Sequence, residues 1–268
     1  MTRLSTALAL FGGLTLFSAS AALAAPCGNT SAGFGAWKAA FASEARQAGV
    51  GQKGLQALAA TRYASRTIAA DRNQKSFRYS LEKFMQVRGS ATIVSQGRAL
   101  KTRNARFYDA LERSYGVPAG VLIAIHGMET GFGRFMGDSQ VVSAIATLAY
   151  DCRRSAFFVP HAIGALKLVD KGSITAQTKG ALHGELGHTQ FLPGNALTYG
   201  VDADRNGRVD FYSQADALAS TANFLRQKGS KPGRGYQPGE PNFRVIEAWN
   251  AAEVYQKAIA IMGARIDG

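Results

Sequence analysis

Ile125-His126-Gly127-Met128-Glu129-Thr130-Gly131-Phe132-Gly133 is the stretch on which the reading of the fold turns. Just upstream, Val121, Leu122, Ile125 and Met128 recur at helical spacing, and Pro118 suits the first turn, where its missing N–H costs nothing. Gly131 and Gly133 end the helix. Its last turn therefore carries a carboxyl group, Glu129, among Ile125, Met128 and Phe132. Burial against such side chains disfavours the ionised form and raises a carboxyl pKa, which a general acid near neutral pH requires. The two glycines would also let a bulky ligand approach the backbone closely. On this pattern alone, an ordinary exposed Glu near a helix end is the plainer alternative.

Working outward, the same periodicity recurs on both sides. Phe34, Trp37 and Phe41, then Leu55, Leu58 and Ala59, predict helices between residues 34 and 60. Phe107 to Tyr115 is amphipathic and ends at Gly116. Ser143 to Leu148, Phe157 to Val169, about Asp216 to Gln227 and about Ala252 to Ala264 predict further helices. The section after Lys179 is glycine-rich, and Gly229 to Pro241 reads as a long ordered loop or a flexible arm. There is no internal repeat and no appended module. The expectation is one mainly α domain with a small β and loop portion.

Composition narrows the class. With 46% apolar and 18% charged residues in 268, the chain is globular, neither disordered nor a disulfide scaffold. The formal net charge is +13, and residues 61–106 hold eleven Lys or Arg against Asp71 and Glu82. That window is either a solvated helical face or a steering surface for an anionic polymer, and its one-sidedness favours the second. The N-terminus selects among polymers. Arg3, an apolar run from Leu4 to Leu23 broken by Gly12 and Gly13, and Ala22-Leu23-Ala24 as a small-x-small site read as a cleaved export signal over residues 1–24. The mature chain, 25–268, would lie outside the cytoplasm with no transmembrane segment, which excludes nucleic acid as a partner. In an oxidising compartment Cys27 and Cys152 suit a disulfide, worth about 4 to 5 kcal/mol through the chain entropy of so long a loop; two buried free thiols are the alternative.

From Gly127 to Gly133 the sequence resembles the catalytic segment of lytic murein transglycosylases of the membrane-bound lytic transglycosylase B type, glycoside hydrolase family 103. The likeness recurs in order. Tyr115-Gly116-Val117-Pro118 precedes the Glu; Ala144 to Tyr150 and Arg153-Arg154 follow it. Gly184-Glu185-Leu186-Gly187-His188-Thr189-Gln190-Phe191-Leu192-Pro193 is similar to the family's G-x-x-G-x-x-Q-F-x-P block, and Val201 to Phe224 to its aspartate loop and following helix. Trp249-Asn250 and Tyr255 match a C-terminal aromatic pair. The resemblance implies a lysozyme-like fold, a single catalytic domain over 25–268, and cleavage of peptidoglycan between N-acetylmuramic acid and N-acetylglucosamine. It implies a monomeric periplasmic enzyme that requires no cofactor and has glycan strands as its partner. Glu129 would protonate the glycosidic oxygen, then act as base on the muramoyl C6 hydroxyl to close a 1,6-anhydro ring. Since the substrate supplies the nucleophile, no second carboxylate is obligatory, unlike the usual two-carboxylate glycosidases.

Carried over residue by residue, Gln190 contacts sugar beside Glu129, Phe191 packs in the core, and Trp249 and Tyr255 flank the saccharide. Phe224 stands at a substrate-binding position where the family usually has tyrosine, so a hydroxyl contact is lost. Ala181 replaces a serine that orients the Glu in some members, and Glu185-Leu186 replaces Ala-Met. The extra carboxyl of Glu185 either tunes Glu129 by like-charge repulsion or sits on the surface; the surface is the plainer placement. Asp202, Asp204 and Asn206, with Gly207 next, match positions 1, 3, 5 and 6 of an EF-hand, but Ser213 stands at position 12 and Arg205 and Arg208 add positive charge. The loop is a weak calcium or sodium site or a metal-free Asx turn. His126 and Glu129 share i, i+3 spacing, but no second such pair or His-Cys cluster supports a catalytic metal. A hydrolytic muramidase with Glu185 or Asp138 as second carboxyl, and a non-catalytic wall-binding protein, are the alternatives.

Overall fold

The computed structural model describes residues 25–73 and 78–268; residues 1–24, on which the export signal falls, lie outside them. Thirteen α-helices lie among the described residues: α1 (Phe34–Gln47), α2 (Gln52–Ala59), α3 (Ser65–Arg72), α4 (Leu81–Val87), α5 (Ser90–Arg103), α6 (Ala105–Tyr115), α7 (Ala119–Thr130), α8 (Val141–Tyr150), α9 (Ser155–Asp170), α10 (Pro193–Tyr199), α11 (Gln214–Gln227), α12 (Phe243–Trp249) and α13 (Glu253–Asp267). The β portion there is one antiparallel pair, β1 (Ser139–Gln140) with β2 (Lys179–Gly180), in the register Ser139 to Gly180.

α7 is the axis of the molecule. Every residue of it except Glu129 is buried, so its sequence is apolar all round rather than amphipathic, the pattern of a helix enclosed on all sides. It packs against α5 and α13. Leu122, Ile123 and Ile125 are fully buried, and each such side chain contributes about 1.5–3 kcal/mol. Close approach to α13 depends on Gly120, where a Cβ would stand 2.2 Å from the Gly263 carbonyl oxygen. Gly131 caps α7 in the left-handed conformation, φ 57°, which glycine adopts without strain.

All ten residues of α8 are buried. α8 packs on α9, which also meets α2 and α10. The structure joins Cys27 to Cys152 in a disulfide, Cα–Cα 5.0 Å, and Gly28 donates its N–H to the Tyr150 carbonyl at 2.9 Å. The segment before α1 is thereby tied to the end of α8. The Arg153-Arg154 pair has a structural task there: both guanidinium groups bond the carboxylate of buried Asp71 from α3. Part of the basic window is likewise engaged, Arg72 with Asp151 at 2.7 Å and Lys101 with Asp267 at 2.7 Å, while Arg62, Arg66 and Arg88 are exposed.

α10 and α12 lie where no helix is predicted. Both are seven residues long, too short for a marked period. Gly229 to Pro241 is the ordered loop, held by Asn242, whose side-chain amide donates to the carbonyls of Lys231 and Arg234 at 2.9 and 2.8 Å.

Candidate active site

Glu129 is the penultimate residue of α7, half-buried, where the helix reaches a cavity of about 220 Å³. Its Oε1 accepts two hydrogen bonds, from the Tyr255 hydroxyl at 2.6 Å and from the Trp249 indole Nε1 at 3.3 Å. Among the described residues no donor reaches Oε2. Burial pushes the Glu129 carboxyl above its ordinary range; the two donors and the Arg88 charge pull it back in part. Orientation and proton affinity are thus set by different neighbours.

The aromatic residues divide the work differently from the sequence expectation. Trp249 lines the cavity and is braced edge-on by Phe191 and Phe224, with ring centroids 5.2 and 5.3 Å away. Phe224 is 3% exposed and presents only a margin to the cavity. It packs against Trp249 from α11. Tyr255 is also 3% exposed. Its hydroxyl bonds the Glu129 carboxyl, and desolvation with that carboxyl raises its own pKa well above the ordinary value.

Gln190 lines the cavity in the left-handed conformation, φ 55°, which costs a non-glycine residue about 1 kcal/mol. Its amide donates to the Gly187 carbonyl at 2.8 Å, and the neighbouring Leu186 and Phe191 close a backbone bridge around it. Glu185 lines the same cavity as Glu129, so its plainer surface placement is corrected. The turn from Ala181 to Leu186 packs on α8 at Gly184, and Glu185 is pushed up to about 7 by burial, then by the Glu129 charge. Asn195, Leu192 and Asn250 complete the lining. Leu192 and Asn250 belong to stretches that the sequence singles out, whereas Asn195 had no sequence signal at all.

The glycines after Glu129 serve packing rather than ligand approach. A Cβ at Gly133 would lie 2.4 Å from His188 Cε1, so the position admits that imidazole. His188 Nδ1 lies 2.9 Å from His126 Nε2, and its Nε2 lies 3.2 Å from the Tyr212 carbonyl. Since a carbonyl only accepts, His188 carries its proton on Nε2 and takes one from His126 at Nδ1. Burial, assisted by His188, holds His126 down to about 3. The pair is a neutral tie between α7 and the 187–191 turn, strengthened by Thr130 donating to the His188 carbonyl at 2.7 Å.

In the aspartate loop the acid set is Asp202, Asp204 and Asp216, with carboxylate oxygens within 4.8 Å of one another. Asn206 lies in the same loop: its side-chain amide donates to Asp204 at 3.0 Å and its Oδ1 accepts from Arg208 N at 3.0 Å. Backbone N–H groups of Asn206 and Gly207 bond Asp202 at 3.1 and 2.8 Å, the Asx-turn pattern. Three carboxylates so close also suit a hard cation, so both readings of the loop fit. Asp138, offered as a second carboxyl, is exposed, pairs with Arg66 at 3.4 Å, and lines a separate groove.

A carboxyl at the end of a buried helix, held by an indole and a phenol over a cleft, has relatives. Residues 33–239 match the Transglycosylase SLT domain family, and the chain belongs to it. Among curated proteins it is 32% identical, over 149 residues, to the membrane-bound lytic murein transglycosylase B of Escherichia coli, with 51% of this chain and 41% of that one covered. The matched region thus spans about two fifths of that relative's length. Among solved structures, SltB3 of Pseudomonas aeruginosa in complex with NAG-anhNAM-pentapeptide superposes with a TM-score of 0.79 and 26% identity, covering 88% of this chain and 80% of that chain. The Escherichia coli lytic transglycosylase Slt35 in complex with calcium gives a TM-score of 0.72 at 20% identity, covering 85% and 92%, and speaks to the fold alone. The fold is the lysozyme-like one.

Proposed function

We propose that the chain is an exported lytic transglycosylase, with residues 1–24 as leader and 25–268 as its catalytic domain, acting on peptidoglycan glycan strands in the periplasm. The observation that carries the reading is Glu129 itself: a half-buried carboxyl in a cavity, fixed through Oε1 by Tyr255 and Trp249. Its Oε2 would carry the proton to the glycosidic oxygen between N-acetylmuramic acid and N-acetylglucosamine. The resulting carboxylate, already provided with two donors, then takes the proton of the muramoyl C6 hydroxyl as that oxygen closes the 1,6-anhydro ring. Proton count is restored, and no water enters. Trp249 would offer its face to a pyranose and Gln190 its amide carbonyl, while Phe224 and Tyr255 act from behind. Exposed Arg62, Arg66 and Arg88 suit a polymer bearing peptide carboxylates.

The reaction needs no cofactor; a calcium or sodium ion on Asp202, Asp204 and Asp216 would only stiffen the loop. No helix among the described residues is long and apolar enough to cross a membrane. Mass spectrometry of muropeptides released from sacculi by wild type and Glu129→Gln tests the reading. Expected are 1,6-anhydro ends from wild type and none from the variant; retained anhydro product in Glu129→Gln would overturn it. The presence of Glu185 in the cavity favours one second reading, hydrolysis by two carboxyls, which the same spectra would reveal as reducing ends.

A further inference from the structure

We infer that Glu185 is a second working carboxyl of the site, a positioning residue that shares one proton with Glu129 and keeps the catalytic acid protonated at a higher pH than one carboxyl alone could. The inference rests on the reading of Glu129 as acid and base. Its ground is placement: both residues line one small cavity, Glu129 from α7 and Glu185 from the turn that follows β2.

The backbone at 185 is pinned on either side. Ala181 donates its N–H to the Glu185 carbonyl at 3.0 Å, and Leu186 exchanges N–H and C=O with Phe191 at 2.8 and 3.0 Å. The turn presses on α8 at Gly184, φ 83°, where a Cβ would stand 2.5 Å from Ile145. The side chain is held as well. His183 N–H donates to Oε2 at 3.2 Å, and His183 Nδ1 lies 3.6 Å from Oε1. The backbone bond to Oε2 holds the side chain against its own turn.

The charged groups facing the pair are few. Glu185 feels Glu129 from α7, Arg154 from the start of α9, and His183 from its own turn. Arg154 is already bonded to Asp71, and burial lowers the His183 pKa. Glu129 feels Arg88 after α4, the Tyr255 hydroxyl from α13 and the Trp249 indole. Two carboxyls in one poorly hydrated space cannot both ionise cheaply, so they titrate as a pair whose second ionisation is displaced upward. Tyr255 and Trp249 favour the charged form of Glu129, whereas Glu185, at about 7, retains its proton longer. The pair therefore keeps one proton through neutral pH, and the reaction draws on the form in which Glu129 carries it. The C6 hydroxyl returns a proton to Glu129 in the closing step, so the pair ends the cycle as it began.

The test is the pH profile of kcat/KM for muropeptide release by wild type, Glu185→Gln and Glu185→Asp. In Glu185→Gln the alkaline limb should move down by about one pH unit. Turnover then falls about tenfold near pH 8 and stays close to wild type near pH 5, with Glu185→Asp retaining the wild-type limb. A uniform loss at every pH, with the limb unmoved, overturns the inference and leaves Glu185 a structural residue. Should Glu185→Gln not fold, the Glu129→Gln protein answers by carboxyl ¹³C titration: with the neighbouring charge gone, Glu185 should ionise below its wild-type value, and an unchanged titration overturns the inference. Activity in Glu129→Gln would sink the catalytic reading itself, a different failure from an unmoved limb.

Discussion

Two regions of this molecule gather carboxylates, and they treat them in opposite ways. Around Glu129 the neighbours are an indole and a phenol, a second acid lines the same cavity, and burial raises the proton affinity. In the 202–216 loop the neighbours are backbone N–H groups: Asp216, though fully buried, accepts from Ala203 N at 2.9 Å and Asp210 N at 2.8 Å. Asp216 is tied by its two backbone donors to the loop it closes, whereas burial raises the proton affinity of Glu129. The functional group is the same in both places, and its surroundings decide which acid does proton chemistry and which holds a loop together.

The strongest break in that contrast is Glu129→Gln, expected to lower turnover by about two to four orders of magnitude. The sign of its effect on stability is opposite. Because the folded-state pKa of Glu129 lies above its unfolded value, the native state binds more protons, and its contribution to stability is greatest in acid and is lost as pH rises through the native value. Wild type should therefore melt at progressively lower temperature above about pH 5, and Glu129→Gln should flatten that decline; calorimetry across pH checks it.

Asp216→Ala is the counterpart in the loop. It removes the acceptor of two part-buried N–H groups and should cost about 1–2 kcal/mol in urea unfolding, with kcat nearly unchanged. A large kcat loss at unchanged stability would remove the distinction between the two regions. Tyr255→Phe takes away the shorter of the two bonds on Glu129. The carboxyl pKa should rise further, since the lost bond favoured the anion, and kcat should fall about tenfold, the worth of roughly 1.4 kcal/mol. Smallest is the cation effect. Millimolar calcium should raise Tm by only a few degrees through Asp202, Asp204 and Asp216, and Asp204→Asn should abolish the rise while leaving muropeptide release intact.

Much of this was legible before any coordinates. The period of Val121, Leu122, Ile125 and Met128 marked the central helix, and Gly131 marked its end, because helix burial and left-handed capping are local in sequence. The hydrogen bond from Tyr255 to Glu129 is not legible in sequence: an aromatic residue reads alike whether its ring meets a sugar or its hydroxyl meets a carboxylate, and the packing of α13 brings the two together. The place of Glu185 in the cavity is hidden for the same reason, since nothing in residues 181–186 tells which side chains turn inward.

What the chain determined by itself, then, is a helical domain carrying one acid at the end of a strongly apolar helix, since periodicity and caps act over a few residues. Only the tertiary structure decided that Tyr255 and Trp249, more than a hundred positions away, would bond that acid, and that Glu185 would share its cavity. Proton affinity depends on distance through space and on exclusion of water, and neither is a property of neighbours along the chain.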